Sequence, residues 1–176
     1  NDWMAGDTVM VRERLEAHVR QIVEGPTSRA NVLDLTYTLT PISDITLPRR
    51  AFGGFVFRTR IDGAIQRIGP EGPVDLPAPG AVEPESDWPP QPWYAYQFDV
   101  PGIDSVFGGA VVDHADNPPS TWHNQFDIGL LQPTIAAEGD VHLPAGEPLT
   151  LRYRAVTFDG EVPHALLDRL AAEWGH

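Results

Sequence analysis

The run Asp113-His114-Ala115-Asp116-Asn117-Pro118-Pro119-Ser120-Thr121-Trp122-His123 is the densest polar constellation in this chain. A neutral imidazole, with an unperturbed pKa of about 6.5, is the usual general acid or base near neutral pH. Two of them, His114 and His123, stand nine residues apart. With Asp113 and Asp116 beside them they also form a two-histidine, one-carboxylate donor set of the kind that holds a transition metal. A third use is structural, with Asp and Asn side chains closing turns and the imidazoles satisfying backbone groups. Residue type and spacing leave all three open. Arg58, between Phe57 and Thr59, carries a planar fork that suits a carboxylate, vicinal hydroxyls or a neighbour in the sheet. Trp88, Trp93 and Trp122 flank the histidine run and a proline-rich stretch; such flat faces stack on sugar rings or anchor a core. The candidate catalytic residues are therefore His114, His123 and Arg58, and the candidate ligand contacts are Asp113, Asp116, Asn117, Trp122 and Trp93. No metal ligands are assigned.

Other chemistries lack their residues. With no cysteine there are no disulfides, thiolate nucleophiles or thiolate metal sites, and the choice between cytoplasm and export stays open. With no lysine there is no Schiff-base candidate. No Gly-x-Ser-x-Gly elbow, phosphate-binding loop or dinucleotide fingerprint occurs, so no cofactor is expected. The chain opens on Asn1 rather than Met, as a processed chain or a piece of a longer one would.

The elements that must carry these residues read as strands. From Val9 to Val23 the odd positions are mostly apolar and Arg12, Arg14, Glu16, His18 and Arg20 are polar, a period-two strand with one wet face and hence an antiparallel sheet. Gly25-Pro26-Thr27-Ser28 marks a turn, and Leu33, Leu35, Tyr37 and Leu39 continue the alternation on a partner strand. A third strand is expected over Phe52–Arg60, with Gly53-Gly54 marking a bulge or a close backbone approach. Further strands are expected over Trp93–Val100, Ser105–Asp113, Phe126–Leu131 and Leu149–Phe158. Eight prolines between Gly69 and Pro92 exclude helix and central strand there, leaving a lid, a binding loop or disorder. Pro163 followed by Leu166, Leu167, Leu170 and Trp174 predicts one C-terminal helix over 163–174. The fold class is therefore all-β, an antiparallel β-sandwich with one C-terminal helix, and the 176 residues suit a single domain.

The 12 arginines and 25 acidic residues give a net charge of −13, all of it from residues 68–151, which hold 13 acids and no arginine. That balance disfavours nucleic-acid or anionic-membrane partners, and no apolar run is long enough to span a bilayer. It points to solvated acidic loops or to a cleft for a neutral polyol or a cation.

Three segments together resemble a known family: Phe52-Gly53-Gly54-Phe55-Val56-Phe57-Arg58; Val112 to Pro118 with Trp122-His123 and Gly129-Leu130-Leu131; and Leu143-Pro144-Ala145-Gly146-Glu147 with Leu149-Thr150-Leu151-Arg152-Tyr153-Arg154. The chain resembles the later part of a bacterial uncharacterised family whose members carry a methane-oxygenase-like label, "PmoA family protein". Ala115 stands where that family commonly has Pro. With no membrane segment and no compact histidine cluster for copper, the resemblance implies not an oxygenase but a sandwich similar to galactose-mutarotase-like proteins. It implies Arg58, His114 and His123 as sugar contacts, supported by Asn117 and Trp122. The leading expectation is a protein that binds or acts on a sugar or sugar-derived ligand near Asp113–His123, with histidine acid–base chemistry. The alternatives are a non-catalytic assembly module and a His/Asp metal site. Because the family's earlier part is missing here, a sheet edge or core face would be left open, and a homodimer or a partner chain is expected.

Overall fold

The computed structural model describes residues 1–24 and 28–176; the expected turn at Gly25-Pro26-Thr27-Ser28 lies largely outside the described residues. In chain order the strands are β1 (Asp2–Ala5), β2 (Thr8–Glu24), β3 (Ser28–Pro41), β4 (Ile45–Leu47), β5 (Phe57–Arg58), β6 (Ala64–Gly69), β7 (Gly72–Pro73), β8 (Trp93–Asp99), β9 (Phe107–Asp113), β10 (Thr121–Trp122), β11 (Leu130–Leu131), β12 (Pro133–Thr134), β13 (Val141–Leu143) and β14 (Leu149–Asp159), with one helix, α1 (His164–Ala172). Eight of them form an antiparallel sheet in the order β1-β2-β3-β14-β9-β8-β6-β7. The all-β antiparallel class with one terminal helix is thus the observed one.

Each face of the sheet has its own cover. On the outer face, Val32, Trp93, Ala95, Ala110, Val112 and Val156 meet Leu166, Leu167 and Leu170 of α1. The helix is tied down at its end by Arg154, a buried side chain of β14. Its Nε donates to Asp34 Oδ1 at 2.5 Å, its Nη1 to the Leu170 carbonyl at 2.8 Å, and its guanidinium lies 4.3 Å from the Trp174 ring centroid. A cation at the carbonyl end of a helix also meets the negative end of its dipole. The inner face carries Tyr94, Tyr96, Phe98 and Val111 in one cluster and Leu39, Leu151 and Tyr153 in another, with Phe55 packed against both. The second layer here consists of three two-stranded ribbons, β4–β13, β5–β11 and β10–β12, and the loops between them.

Two strand expectations change. Phe52–Arg60 pairs with β11 only at Phe57 and Arg58, and otherwise crosses the inner face as an irregular segment. Phe126–Ile128 is a 3-10 turn, closed by Gly129 at φ 73°, with only Leu130–Leu131 extended. The proline-rich stretch is an ordered cover: Trp88 exchanges backbone hydrogen bonds with Trp122 at 2.8 and 3.0 Å, and its indole donates to the Pro77 carbonyl.

The alternation along β2 holds, but its apolar side is covered only at the Val11 end. Leu15, Val19 and Val23 are 45%, 77% and 60% exposed. Among the described residues β2 is also the free edge of the sheet beyond Glu13, because β1 pairs with it only as far as Arg12.

Candidate functional site

Gly53-Gly54 decides how the crossing segment sits. A Cβ on Gly54 would lie 2.1 Å from the Pro133 carbonyl oxygen, and one on Gly53 would lie 2.6 Å from Ala136 Cβ. Of the two readings given to this pair, the close backbone approach is the observed one, through an isolated bridge between Gly54 and Thr134. Gly109 does the same for the other end of the segment, since a Cβ there would meet Phe57 at 2.8 Å. These glycines let residues 52–60 lie low across the sheet, with a cavity on either side.

The first cavity, about 500 Å³, is walled by aromatic and aliphatic groups, among them Tyr37, Phe52, Phe55, Leu151 and Tyr153, with Glu13 and Arg50 as its charged members. Phe55 and Tyr153 stack at 4.8 Å. The Tyr153 hydroxyl is buried without a hydrogen bond, and burial pushes its phenol well above the ordinary value.

Phe52, 47% exposed, also packs edge-on against His123, with ring centroids 4.7 Å apart. Behind it lies a fully buried pair: His123 Nδ1 stands 2.6 Å from Asp87 Oδ1, and Asp87 Oδ2 accepts the Thr121 hydroxyl at 2.6 Å. A carboxylate has only acceptors, so Nδ1 is the donor and the neutral ring keeps its lone pair on Nε2. Among the described residues that nitrogen is buried and makes no hydrogen bond, and neither do Asn124 Nδ2 or the Gln132 side-chain amide. These residues adjoin: His123 N–H donates to the Gln132 carbonyl and Gln132 N–H to Asn124 Oδ1. Each buried polar group left unpaired costs about 1–3 kcal/mol, so such a group needs an explanation, and function is one. A base oriented by a carboxylate is the arrangement that acid–base catalysis uses.

The rest of the histidine run is built differently. Asp113 is a buried hub that accepts Asn117 Nδ2 at 2.6 Å, Ser120 Oγ at 2.5 Å and the His114 amide at 3.1 Å. Burial still raises its pKa against those bonds. Asn117 also clamps the loop to β14, giving Nδ2 to the Arg152 carbonyl and accepting the Arg152 amide. His114 Nδ1 accepts the Asp116 amide at 3.0 Å, and its ring lies 5.0 Å from Trp174. Burial, then the nearby Arg152 charge, holds its pKa down. It lines a shallow depression of about 260 Å³ with Asp113, Asn117 and His176.

The three candidate catalytic residues therefore occupy three places: His123 beside the aromatic cavity, His114 in the shallow depression, and Arg58 in a further cavity on the other side of the crossing segment. Among the described residues no three His or carboxylate side chains converge as metal ligands. Trp93 lies in the outer core with its indole donating to Asp168, and Trp122 lies in the inner core; both are fully buried, so neither presents a ring face to a ligand.

A family model described as a family of unknown function (DUF6807) matches residues 1–172. The chain belongs to this family. No curated protein and no solved structure matches it. Membership in DUF6807 accords with the resemblance to an uncharacterised family and brings no activity with it, so function has to be argued from the sites. Three residues of these sites escaped the sequence reading: Asp87, Phe52 and, in the cavity that holds Arg58, Arg29. Asp87 sits in the proline-rich stretch, 36 positions before His123, with no local motif to mark it. Phe52 was visible only as the start of the Gly-Gly segment.

Proposed function

We propose that this chain binds a sugar-derived ligand in the aromatic cavity on the inner face of its sheet, with His123, oriented by Asp87, as its acid–base group. The observation that carries this reading is the unpartnered Nε2 of a buried Asp–His pair behind Phe52, a residue that also lines the cavity. The ring faces of Tyr37 and Phe55 supply the flat apolar surface that sugars stack on. The resemblance to galactose-mutarotase-like sandwiches supports the same ligand class by analogy of fold. Exchange of anomers is the simplest reaction for one base: it takes the proton of the anomeric hydroxyl and gives it to the ring oxygen as the bond from C1 to that oxygen breaks, and the open-chain aldehyde then turns about C1–C2 and closes by the reverse transfers. Phe52 has to swing aside for that contact.

The test is a panel of neutral monosaccharides, scored by ligand-observed NMR for binding and by anomer exchange for turnover. His123→Gln is expected to keep binding and to lose turnover about a hundredfold or more, the scale of one acid–base group. Val56→Trp, which fills the cavity from a half-exposed position, is expected to abolish binding. Full turnover in His123→Gln together with full binding in Val56→Trp would remove the proposal.

A second reading, an assembly module, is favoured by β2. Glu13 turns its N–H and C=O outward to Asn1, so by strand geometry Leu15, Ala17 and Val19 turn theirs outward too, beyond the reach of β1. A second copy paired antiparallel about His18 sets Glu16 opposite Arg20 twice. Ala17→Pro, which blocks that ladder without removing a bond inside the chain, is expected to convert a dimer to a monomer in sedimentation velocity. A wild-type monomer at micromolar concentration would sink this reading.

A further inference from the structure

The cavity on the other side of the crossing segment measures about 460 Å³, inside the range of roughly 300–1,000 Å³ usual for small-molecule sites. Its walls come from β3, β8, β9, β14 and residues 57–60, and they include Phe57, Phe98 and Phe107 beside Arg29, Arg58 and Arg60. Arg60 is already engaged, bonded through Nε and Nη2 to Asp62 and lying 5.6 Å from the Phe107 ring centroid. Arg29 and Arg58 are different. Both are exposed, and neither has an ion pair or side-chain hydrogen bond among the described residues.

Arg12 and Arg50 likewise have no such partner among the described residues, but neither lines this cavity. Acids outnumber arginines by 25 to 12, and among the described residues seven arginines (14, 20, 49, 60, 67, 152 and 154) sit in ion pairs. Two guanidinium groups without an ion pair among the described residues, beside one aromatic concavity, form a local positive site in a protein whose overall charge repels anions. At 0.1 M salt that overall field is screened beyond about 10 Å, so the residues lining the cavity decide what enters. Guanidinium forks bind carboxylate and phosphate oxygens in pairs, and the phenylalanine faces accept a ring. The one carboxylate in the wall, Asp159, lies on the strand next to that of Arg29, and no ion pair joins the two. It is the feature that opposes an anion.

We infer that this cavity is a binding site for an organic oxyanion, a carboxylate or a phosphate ester on a ring-sized body, held by Arg29 and Arg58 over Phe57 and Phe107. The inference does not depend on His123 or on the aromatic cavity. Calorimetric titration with glucuronate, glucose 6-phosphate and glucose tests it. At least one of the two acids is expected to bind and glucose is not. Glucuronate alone assigns the anion as a carboxylate, and glucose 6-phosphate alone as a phosphate ester. Arg58→Gln and Arg29→Gln, both at exposed positions, are each expected to weaken binding about tenfold or more, the scale of a lost charge-assisted hydrogen bond. Asp159→Asn is expected to tighten it. Val56→Trp, which fills the other cavity, leaves it unchanged. No acid binding at millimolar concentration, equal affinity for glucose, or acid affinity untouched in both arginine variants would overturn the proposal.

Discussion

Gly54 holds the smallest distance on which both cavities depend. Because a Cβ there would meet the Pro133 carbonyl oxygen at 2.1 Å, Gly54→Ala has to displace backbone, and a loss of about 1–3 kcal/mol is expected in urea denaturation. Gly139→Ala, which meets nothing within 4 Å, is the control and should leave the midpoint in place. His114 gives a test in pH. Burial and Arg152 disfavour its charged form in the folded chain, so the unfolded chain takes up the proton first as pH falls. Stability is therefore lost as pH drops below the ordinary histidine value of about 6.5. His114→Gln is expected to flatten the melting temperature over that window relative to wild type. At this scale the sequence showed the reactive types and their loops. It did not show partners, because Asp87 reaches His123 through a bridge between Trp88 and Trp122 that no short-range pattern encodes. The role of Asn117 was legible in kind, since Asx side chains that close turns are a local habit.

Among the elements, the long strands and α1 were legible because their periodicity runs over many residues, and the short ribbons were not, because two or three paired residues leave no period to read. Phe52–Arg60 shows the limit: it alternates like a strand, yet it crosses the sheet, with Phe55 and Phe57 against the inner clusters and Phe52 and Val56 exposed. The docking of α1 also lay beyond periodicity, because it rests on a buried arginine. Removing Arg154 strands the Asp34 carboxylate and frees the Leu170 carbonyl, so Arg154→Met is expected to cost about 3–5 kcal/mol. The double variant Arg154→Met/Asp34→Leu should recover much of that loss, as buried ion pairs replaced by apolar groups commonly do. Urea midpoints of the two variants check both statements.

For the whole molecule, a charge of −13 that composition alone placed in residues 68–151 now sits against a cavity whose arginines come from the first third of the chain. Composition located the acidic excess in the sequence but could not show that Arg29, Arg58 and Arg60 would share one cavity. Two such copies repel each other, so pairing along β2 is expected to strengthen as salt rises, and sedimentation at low and high ionic strength reads this directly. The cover on each face of the sheet has one more consequence, for the way the protein comes apart. The outer cluster around Trp93 and the inner cluster around Trp88 and Trp122 lie on opposite faces of the sheet, so what couples them is the ladder of β8, β9 and β14. Cooperativity has to travel through backbone hydrogen bonds rather than through a continuous interior. Tryptophan fluorescence, read one indole at a time, would then show whether this is one folding unit or two that share a wall.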